Sequence, residues 1–481
     1  MSSQSSSFRR ILKSSSIIGG SSVVGIMLGL VRNKMLAVLF GPEGVGLVSL
    51  YTSVMATATS VATMGVGTVV TRQIAEAIGR DDAHALAVAR KAFFWGTLML
   101  SCAGGVLVWA LKDVISQKIL GGSEHGWVVG WLSLGVVLSV MCASQAAMMQ
   151  GMRRMADMAR LSIYGALANT VFGIAMLWQF GSAGLVAYVL VGPLLSFFIG
   201  LVLIARIPKP EQSIVLLQEM TNQWKIMIRL GFVFMAAGLV PALVQLWIRV
   251  EVQGLLGAEA VGHYQAAWSV STQYLGFVLG AMGADYYPRL CSAIHDKVTA
   301  TRLVNEQIEV ALLLSAPIII VGIGFSSWIV DALYSTSFRQ AADILRWQVL
   351  ADILKVASWP MAMIMSAVGM GKSFLFTETS ASLFMGLLVA SMLPIVGLKI
   401  TGIAYLACYL LYLPLVFVIA KRAIGFVLMR QVIILFVALL LSGIVVFLCS
   451  TFSEFGAAAS VVIGGLFAMY SAANIKKRAF A

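Results

Sequence analysis

Long apolar stretches separated by short polar loops recur along the whole chain. Each stretch is about 20 residues long, which is the length that an α-helix needs to cross the hydrocarbon core of a bilayer. The stretches are continuous and do not alternate apolar with polar residues as the strands of a transmembrane barrel do. They begin near Ser15, Leu47, Ala87, Trp127, Leu161, Gly184, Ile226, Tyr264, Val310, Leu345, Phe374, Thr401, Phe426 and Ala457. This pattern predicts an all-α integral membrane protein with about fourteen transmembrane helices.

Composition supports the same prediction. Of the 481 residues, 60% are hydrophobic and 11% are charged, and the mean hydropathy is +0.94. These values exclude an ordinary soluble globular domain. The five cysteines are scattered and odd in number, so they indicate neither a disulfide framework nor a metal site. The sequence predicts no cofactor.

Lysine and arginine residues lie mainly in the loops of one side of the membrane if the N-terminus is cytoplasmic. By the positive-inside rule this side is the cytoplasm, and both termini are predicted to lie there. The formal net charge of +13 then reflects topology. The cations are dispersed among loops and form no single patch, so the expected partner is the phospholipid bilayer and not a nucleic acid.

Two pairs of segments indicate an internal repeat. LFGPEGVGLVSLYTSV (39–54) aligns without a gap with LLGAEAVGHYQAAWSV (255–270), and QGMRR (150–154) aligns with VGMGK (368–372) at nearly the same offset. These matches predict two homologous six-helix lobes in the same orientation. Parallel repeats related by an axis along the membrane normal are typical of transporters. The predicted domains are an N-lobe (1–208), a cytoplasmic linker (209–223), a C-lobe (224–422), and two further helices with a cytoplasmic tail (423–481).

Polar residues within the predicted spans are the candidates for a transport site. In the seventh span, Gln245, Arg249 and Gln253 are four residues apart and share one helix face. Pro241 precedes them, and proline tends to kink a helix. A kink beside a polar row predicts a water-lined cavity face. Arg249 then either contacts substrate or extends to the outer membrane interface.

The first span carries Arg32, Asn33 and Lys34, and the eighth span carries Gln265 and Gln273. Arg32 and Lys34 lie about 200° apart around a helix, so one is expected to contact substrate while the other reaches the headgroups. Asn33 lies on a row of small residues that is either a cavity wall or a packing seam. The two glutamines share a face and suit either sugar hydroxyls or hydrogen bonds between helices.

The tenth span contains two charges within the stretch WQVLADILKVASWP. One stripe of this helix is formed by Gln348, Asp352, Lys355 and Trp359. A charged residue at the bilayer centre costs about 2.5–3.5 kcal/mol, whereas an Asp–Lys pair at this spacing returns only about 0.2–0.5 kcal/mol in a solvated helix. The pair therefore predicts a wet or polar face, or else a self-neutralising pair inside the bundle.

The turns FGPEGVG and LGAEAVG, the motif YYPRL at the inner end of the eighth span, and WQVLADILK resemble the Wzx-type polysaccharide flippases. These flippases belong to the multidrug, oligosaccharidyl-lipid and polysaccharide exporter superfamily, and the O-antigen and enterobacterial common antigen translocases resemble this chain most. The resemblance implies alternating access by two lobes that moves an undecaprenyl-pyrophosphate-linked oligosaccharide from the cytoplasmic to the periplasmic leaflet. It also implies a functional monomer in the bacterial inner membrane, with polysaccharide polymerase and chain-length machinery as partners.

Basic residues fit this implied substrate, because Lys and Arg bind phosphate oxygens through charge-assisted hydrogen bonds. We assign pyrophosphate binding to Lys34, Arg249 and Lys355 as a hypothesis. The resemblance favours Lys34 over Arg32, since these flippases often have a basic residue before the outer glycine turn.

Three acidic residues of the predicted C-lobe are candidates for coupling transport to an ion. Asp352 lies inside the tenth span, whereas Asp285 and Glu378 lie nearer to span ends. A charge costs most near the bilayer centre, so Asp352 is the first candidate. It is expected to position Lys355 or to titrate during the transport cycle.

Three other functions fit parts of the pattern. A polyprenol-dependent glycosyltransferase or polymerase would need catalytic residues in large outer loops, but the longest outer segment (112–126) offers only Asp113, Glu124 and His125. No catalytic-triad or metal spacing is found, so no enzyme is predicted. A multidrug or cation antiporter would need an acidic or aromatic cavity. A peptidoglycan-precursor flippase would share the cationic cavity, and it stays an alternative.

Overall fold

The structure of the chain, a computed structural model, describes residues 2–122, 125–207, 215–450 and 453–479, with side chains described between residues 20 and 474 apart from short gaps. Within these ranges every regular element is a helix. The first half contains α1 (Ser2–Thr63), α2 (Val66–Gly79), α3 (Ala83–Ala110), α4 (Lys112–Ile115), α5 (Gly126–Gly151), α6 (Met155–Phe180) and α7 (Gly184–Ala205). The rest contains α8 (Leu217–Ala293), α9 (Lys297–Gly324), α10 (Ser326–Leu333), α11 (Arg339–Val368), α12 (Gly371–Val396), α13 (Ile400–Ile424), α14 (Arg430–Cys449) and α15 (Ser453–Ala479).

Ten helical segments among the described residues are long and apolar enough to cross a membrane. Four of them are 43 to 54 residues long, about twice the length that one crossing needs. These four are Gly20–Thr63, Met155–Ala205, Gly238–Gly280 and Gly371–Ile424. With each of them counted as two crossings, the segments agree with the predicted number of about fourteen. The prediction of an all-α membrane protein is confirmed.

Left-handed glycines interrupt the long segments at matching positions of the two halves. Gly41 (φ 60°) bends α1, and Gly257 (φ 85°) bends α8. Gly41 and Gly257 are 216 residues apart, and the same spacing of 216 residues separates Gly181 from Gly397, at the ends of α6 and α12. Positive φ is tolerated there because glycine has no Cβ. The repeat that the sequence indicates is therefore also present in the backbone.

A third pair at this spacing corrects one detail of the sequence alignment. Arg153 and Gly369 both have positive φ, just after α5 and α11. Their hydrogen bonds also match, since Arg153 N–H donates to Gln150 O and Gly369 N–H donates to Ser366 O. The backbone thus pairs 150–154 with 366–370 and not with 368–372. The QGMRR segment shares only a few identities with its match. The sequence alignment therefore locates the helix end correctly but shifts the pairing by two residues.

The described helices group into two compact units, Met1–Gly254 and Leu255–Ala481. In the first unit α6 packs against α1 and α7, and α5 packs against α3 and α7. In the second unit α11 packs against α13 and α9, and α12 packs against α13. The predicted lobe boundaries stay a prediction, and residues 209–214 of the predicted linker lie outside the described residues.

Within the first unit, two glycine contacts place the start of α8 against the start of α2 and against α3. A Cβ added at Gly65, where φ is 63°, would lie 2.2 Å from the carbonyl oxygen of Gly231. A Cβ added at Gly96 would lie 2.3 Å from the ring of Trp224. Both distances are shorter than a packed interior allows, so this part of α8 depends on glycine at both positions.

An exposed hydrogen-bonded pair, His84 and Glu219, lies at the same end of α8. His84 Nε2 and Glu219 Oε1 are 3.3 Å apart, and the backbone N–H of Leu216 donates to the other carboxylate oxygen of Glu219 over 3.0 Å. The hydrogen bond from Leu216, followed by that from His84, lowers the pKa of the Glu219 carboxyl. Hydrogen bonds to the charged form of a carboxylate have this effect.

Candidate functional site

Asp352 lies fully buried on α11 in the second unit, where it is 0% exposed. Three hydroxyl groups donate hydrogen bonds to its carboxylate. Ser271 Oγ and Tyr274 OH, both on α8, donate to Oδ2, the former over 2.9 Å, and Tyr405 OH on α13 donates to Oδ1 over 3.1 Å. A buried carboxylate is tolerated only when its oxygens are paired. Two neighbouring helices therefore hold this charge in place.

Lys355, one turn farther along α11, is half-buried and also depends on α13. Its Nζ donates to the hydroxyl of Tyr405 over 3.0 Å. The same ammonium lies over the rings of Tyr405 and Tyr409, 5.6 and 5.7 Å from their centroids, which are cation–π distances. The predicted relation between Asp352 and Lys355 thus runs through Tyr405, which contacts both.

Glu378 on α12 extends this polar cluster. The hydroxyl of Tyr412 on α13 donates to Glu378 Oε1 over 2.5 Å. Tyr405, Tyr409 and Tyr412 follow one another at helical spacing, so they share one face of α13. That face carries the hydroxyls and rings that contact the charges of α11 and α12.

Gln348 lies one turn before Asp352 and is 0% exposed. Neither its Oε1 nor its Nε2 has a hydrogen-bond partner among the described residues. On α8, Gln265 Nε2 donates to Ser269 Oγ over 2.8 Å, and Gln273 is half-buried. Within the stripe predicted on the tenth span, Gln348 and Asp352 are buried, Lys355 and Trp359 are half-buried, and the amide of Gln348 is not paired within the described residues.

In the first unit, Arg249 is only 6% exposed. Its Nε donates to Ser49 Oγ on α1 over 3.0 Å, and its Nη1 donates to the carbonyl oxygen and to Oε1 of Gln245 over 2.9 and 3.3 Å. These contacts join Gln245 and Arg249, while the water-lined cavity face expected for the row with Gln253 stays a prediction. The guanidinium lies inside the unit and not at its surface.

The other predicted polar residues of the first unit are half-buried: Arg32, Asn33, Lys34 and Gln253. The Arg32 guanidinium lies 5.3 Å from the ring centroid of Tyr188 on α7. Arg32 Nε and Gln253 Oε1 are buried atoms without a hydrogen-bond partner among the described residues. Arg32 and Gln253 therefore bring polar atoms into the first unit that the described protein leaves unpaired.

Asp285 lies outside the buried cluster. It is exposed on α8 and pairs with Arg289 over 3.2 Å, with both side chains largely in solvent. Exposed ion pairs of this kind contribute little to stability. Of the three predicted carboxylates, Asp352 is linked to Lys355 through Tyr405, and Glu378 bonds Tyr412 on the same face of α13. Asp285 lies apart from them and pairs with Arg289.

Sequence reasoning missed five members of this cluster: Ser271, Tyr274, Tyr405, Tyr409 and Tyr412. The spacing of the tyrosines in AYLACYLLYLP was the available signal. Tyrosine is common on membrane helices because its ring is apolar and its tip is polar, so the spacing alone did not distinguish a buried network. Within the described residues no group of His, Cys, Asp and Glu is arranged to hold a metal ion.

Comparison with known proteins gives related results at the levels of sequence and fold. Residues 11–293 match the family described as polysaccharide biosynthesis protein. The Lipid III flippase of Escherichia coli (strain K12) is 25% identical over 443 residues, covering 86% of this chain and 99% of the relative. A putative O-antigen transporter of Shigella flexneri is 23% identical over 304 residues, covering 62% of this chain and 71% of the relative.

Two solved structures share the fold. The structure described as Lipid II flippase MurJ in an inward closed conformation has a TM-score of 0.71 and 13% identity, and the match covers 96% of this chain and 99% of that one. An inward-facing multidrug resistance MATE family transporter of the MOP superfamily has a TM-score of 0.66 and 15% identity, with 84% and 98% covered. At these identities the likeness shows the fold alone, and it is the fold of a membrane transporter.

Proposed function

Because the chain belongs to the family of polysaccharide biosynthesis proteins, we propose that it is a flippase for an undecaprenyl-pyrophosphate-linked oligosaccharide. It moves this substrate from the cytoplasmic to the periplasmic leaflet of the bacterial inner membrane by alternating access. The curated relatives named as a Lipid III flippase and a putative O-antigen transporter support this choice. They are named as a flippase and a transporter and not as enzymes, in agreement with the sequence prediction.

The observation that carries the proposal is the ammonium of Lys355, inside a predicted span and beside a tyrosine face. A charge inside a membrane span is costly, by about 2.5–3.5 kcal/mol even on the lower scales. The presence of the Lys355 charge at such a costly position therefore points to a role in transport. A pyrophosphate head must cross the bilayer while the polyprenyl tail stays in lipid, and cations can bind phosphate oxygens by charge-assisted hydrogen bonds.

The proposed substrate contacts are Lys355 in the second unit, and Arg249 and Lys34 in the first unit, with Arg32 as the further cation. Asp352 holds the network around Lys355 and is the proposed coupling carboxylate, with Glu378 beside it. Both chain termini are proposed to lie in the cytoplasm. The protein acts as a monomer in this proposal, together with polysaccharide polymerase and chain-length machinery.

The test is deletion of the gene followed by mass spectrometry of the lipid-linked precursors. We expect one undecaprenyl-pyrophosphate oligosaccharide to accumulate and the corresponding surface polysaccharide to be lost. Complementation with Lys355→Ala should fail at equal expression, because the ammonium is removed. Lys372→Ala, which removes an exposed lysine at the start of α12, should complement fully.

The identity of the accumulated lipid separates the alternatives. Accumulation of the peptidoglycan precursor would favour a flippase for that lipid. An intact surface polysaccharide with no accumulated precursor would contradict the flippase function and would favour an antiporter of the same fold.

A further inference from the structure

The hydroxyl of Tyr405 lies between the two charges of α11, Asp352 and Lys355. It is 3.0 Å from Lys355 Nζ and 3.1 Å from Asp352 Oδ1. Asp352 Oδ2 receives its hydrogen bonds from Ser271 and Tyr274. Of the three hydroxyls on the carboxylate, that of Tyr405 therefore also serves the ammonium.

The direction of these hydrogen bonds is fixed by the groups themselves. An ammonium has three N–H donors and no acceptor, and a phenol has one O–H donor. Lys355 must therefore donate to Tyr405, and the single proton of Tyr405 must point to Asp352. The result is a directed chain from ammonium to phenol to carboxylate, in which each hydrogen bond strengthens the next.

This chain uses one of the three donors of Lys355. No further hydrogen bond of the ammonium is found among the described residues, and the rings of Tyr405 and Tyr409 lie beside it. A ring face attracts the cation but cannot take a proton in a strong hydrogen bond. Two N–H groups of this half-buried lysine thus remain for acceptor oxygens that come from outside the described residues.

We propose that Tyr405 is a positioning residue for Lys355, which it holds so that two N–H donors face the oxygens of a pyrophosphate. The proposal rests on the flippase function proposed above, and it identifies the group that prepares the cation for its ligand. Tyr405 acts through its hydroxyl, while its ring and that of Tyr409 limit where the ammonium can move. Asp352 anchors the far end of the chain.

The test measures the binding of undecaprenyl pyrophosphate to the purified full-length protein in nanodiscs. Tyr405→Phe keeps the ring and removes only the hydroxyl. We expect the dissociation constant to rise about tenfold, the change that follows when one hydrogen bond to a charged group is lost. In a flipping assay the same variant should raise the half-saturating substrate concentration and change the maximal rate much less.

The matched control is Tyr286→Phe. Tyr286 is also a buried tyrosine of the second unit, and its hydroxyl donates to the carbonyl oxygen of Pro360 over 2.9 Å. This control loses one buried hydroxyl but does not touch Lys355, so its affinity should equal that of the wild type. A merely structural role of Tyr405 would lower the melting temperature and leave the affinity of the folded fraction unchanged, and that result would overturn the proposal.

Inorganic pyrophosphate is the second probe, and it separates the headgroup from the tail. The loss of affinity must appear with both probes, because the hydroxyl acts on the ammonium and not on the polyprenyl chain. A loss with the lipid alone would overturn the proposal. If Tyr405→Phe does not fold, the comparison is made in an Asp352→Asn background. There the loss of the Tyr405 hydroxyl no longer leaves a charged carboxylate oxygen unpaired. The Tyr405→Phe/Asp352→Asn variant must then bind more weakly than Asp352→Asn alone.

The outcome also distinguishes this proposal from the function on which it rests. A wild-type protein that flips the lipid, with an affinity that does not depend on Tyr405, overturns the positioning role alone. A wild-type protein that binds neither probe overturns the positioning role and the flippase function together.

Discussion

Arg249 shows how a cation is accommodated inside the first unit. Its guanidinium donates hydrogen bonds to Ser49 on α1 and to Gln245 on its own helix. Helical spacing alone predicted the relation to Gln245, because residues four apart share a face. It could not predict Ser49, because spacing along one helix does not say which neighbouring helix faces it.

Replacement of Arg249 tests whether this buried guanidinium serves transport. We expect Arg249→Ala to lower the flipping rate at least about tenfold at equal expression, since one charged contact to the pyrophosphate is worth about 1.5–3 kcal/mol. The measurement is flipping of the lipid-linked oligosaccharide in proteoliposomes. Arg289→Ala, which removes an arginine of an exposed ion pair, is the control and should retain the wild-type rate. Equal rates for the two variants would contradict a substrate role for Arg249.

At the scale of helices, Gly65 before α2 and Gly96 on α3 set how closely the start of α8 approaches these two helices. Gly65 meets Gly231, and Gly96 meets the ring of Trp224. Neither contact was predicted, because a glycine in an apolar span can equally be a packing seam, a bend or a neutral position. The spans themselves were predicted well, since the bilayer sets their length and demands paired backbone groups within each helix.

Gly65→Ala should destabilise the protein by about 2 kcal/mol or more, because the left-handed conformation disfavours a Cβ and that Cβ would also clash with Gly231 O. Thermal unfolding in detergent measures this change. Gly79→Ala at the end of α2 is the control, because a Cβ there meets nothing within 4 Å. It should leave the melting temperature unchanged or raise it slightly. Similar melting temperatures for both variants would show that the contact is not tight.

The buried cluster shows where element-level prediction stops. The charges of α11 were identified from their cost in an apolar span, which one helix reveals by itself. The hydroxyls that pair with Asp352 come from α8 and α13. Their identity depends on the rotation of each helix about its axis, and short apolar motifs do not encode that rotation strongly.

The whole chain is expected to follow the positive-inside rule. In a variant without the five native cysteines, Arg80→Cys between α2 and α3 should react with a membrane-impermeant thiol reagent only after the inner membrane is opened. Gly122→Cys, which lies in the loop after α4, should react in intact spheroplasts. Labelling in the reverse order would invert the proposed orientation, and equal labelling of both sites would refute the single span between them, α3.

The repeated backbone also records how the two halves have diverged. Positions 216 residues apart correspond in the two halves, as Gly41 and Gly257 do. At three such positions the second half has a charged residue or a tyrosine, and the first half has valine or serine. Asp352, Lys355 and Tyr405 correspond to Val136, Ser139 and Val189. Val136 and Val189 are buried, so one copy of the duplicated bundle folds around valines where the other keeps an acid and a phenol. Ancestry supplied the scaffold to both halves, and at these three positions only the second half carries charged groups and a phenol.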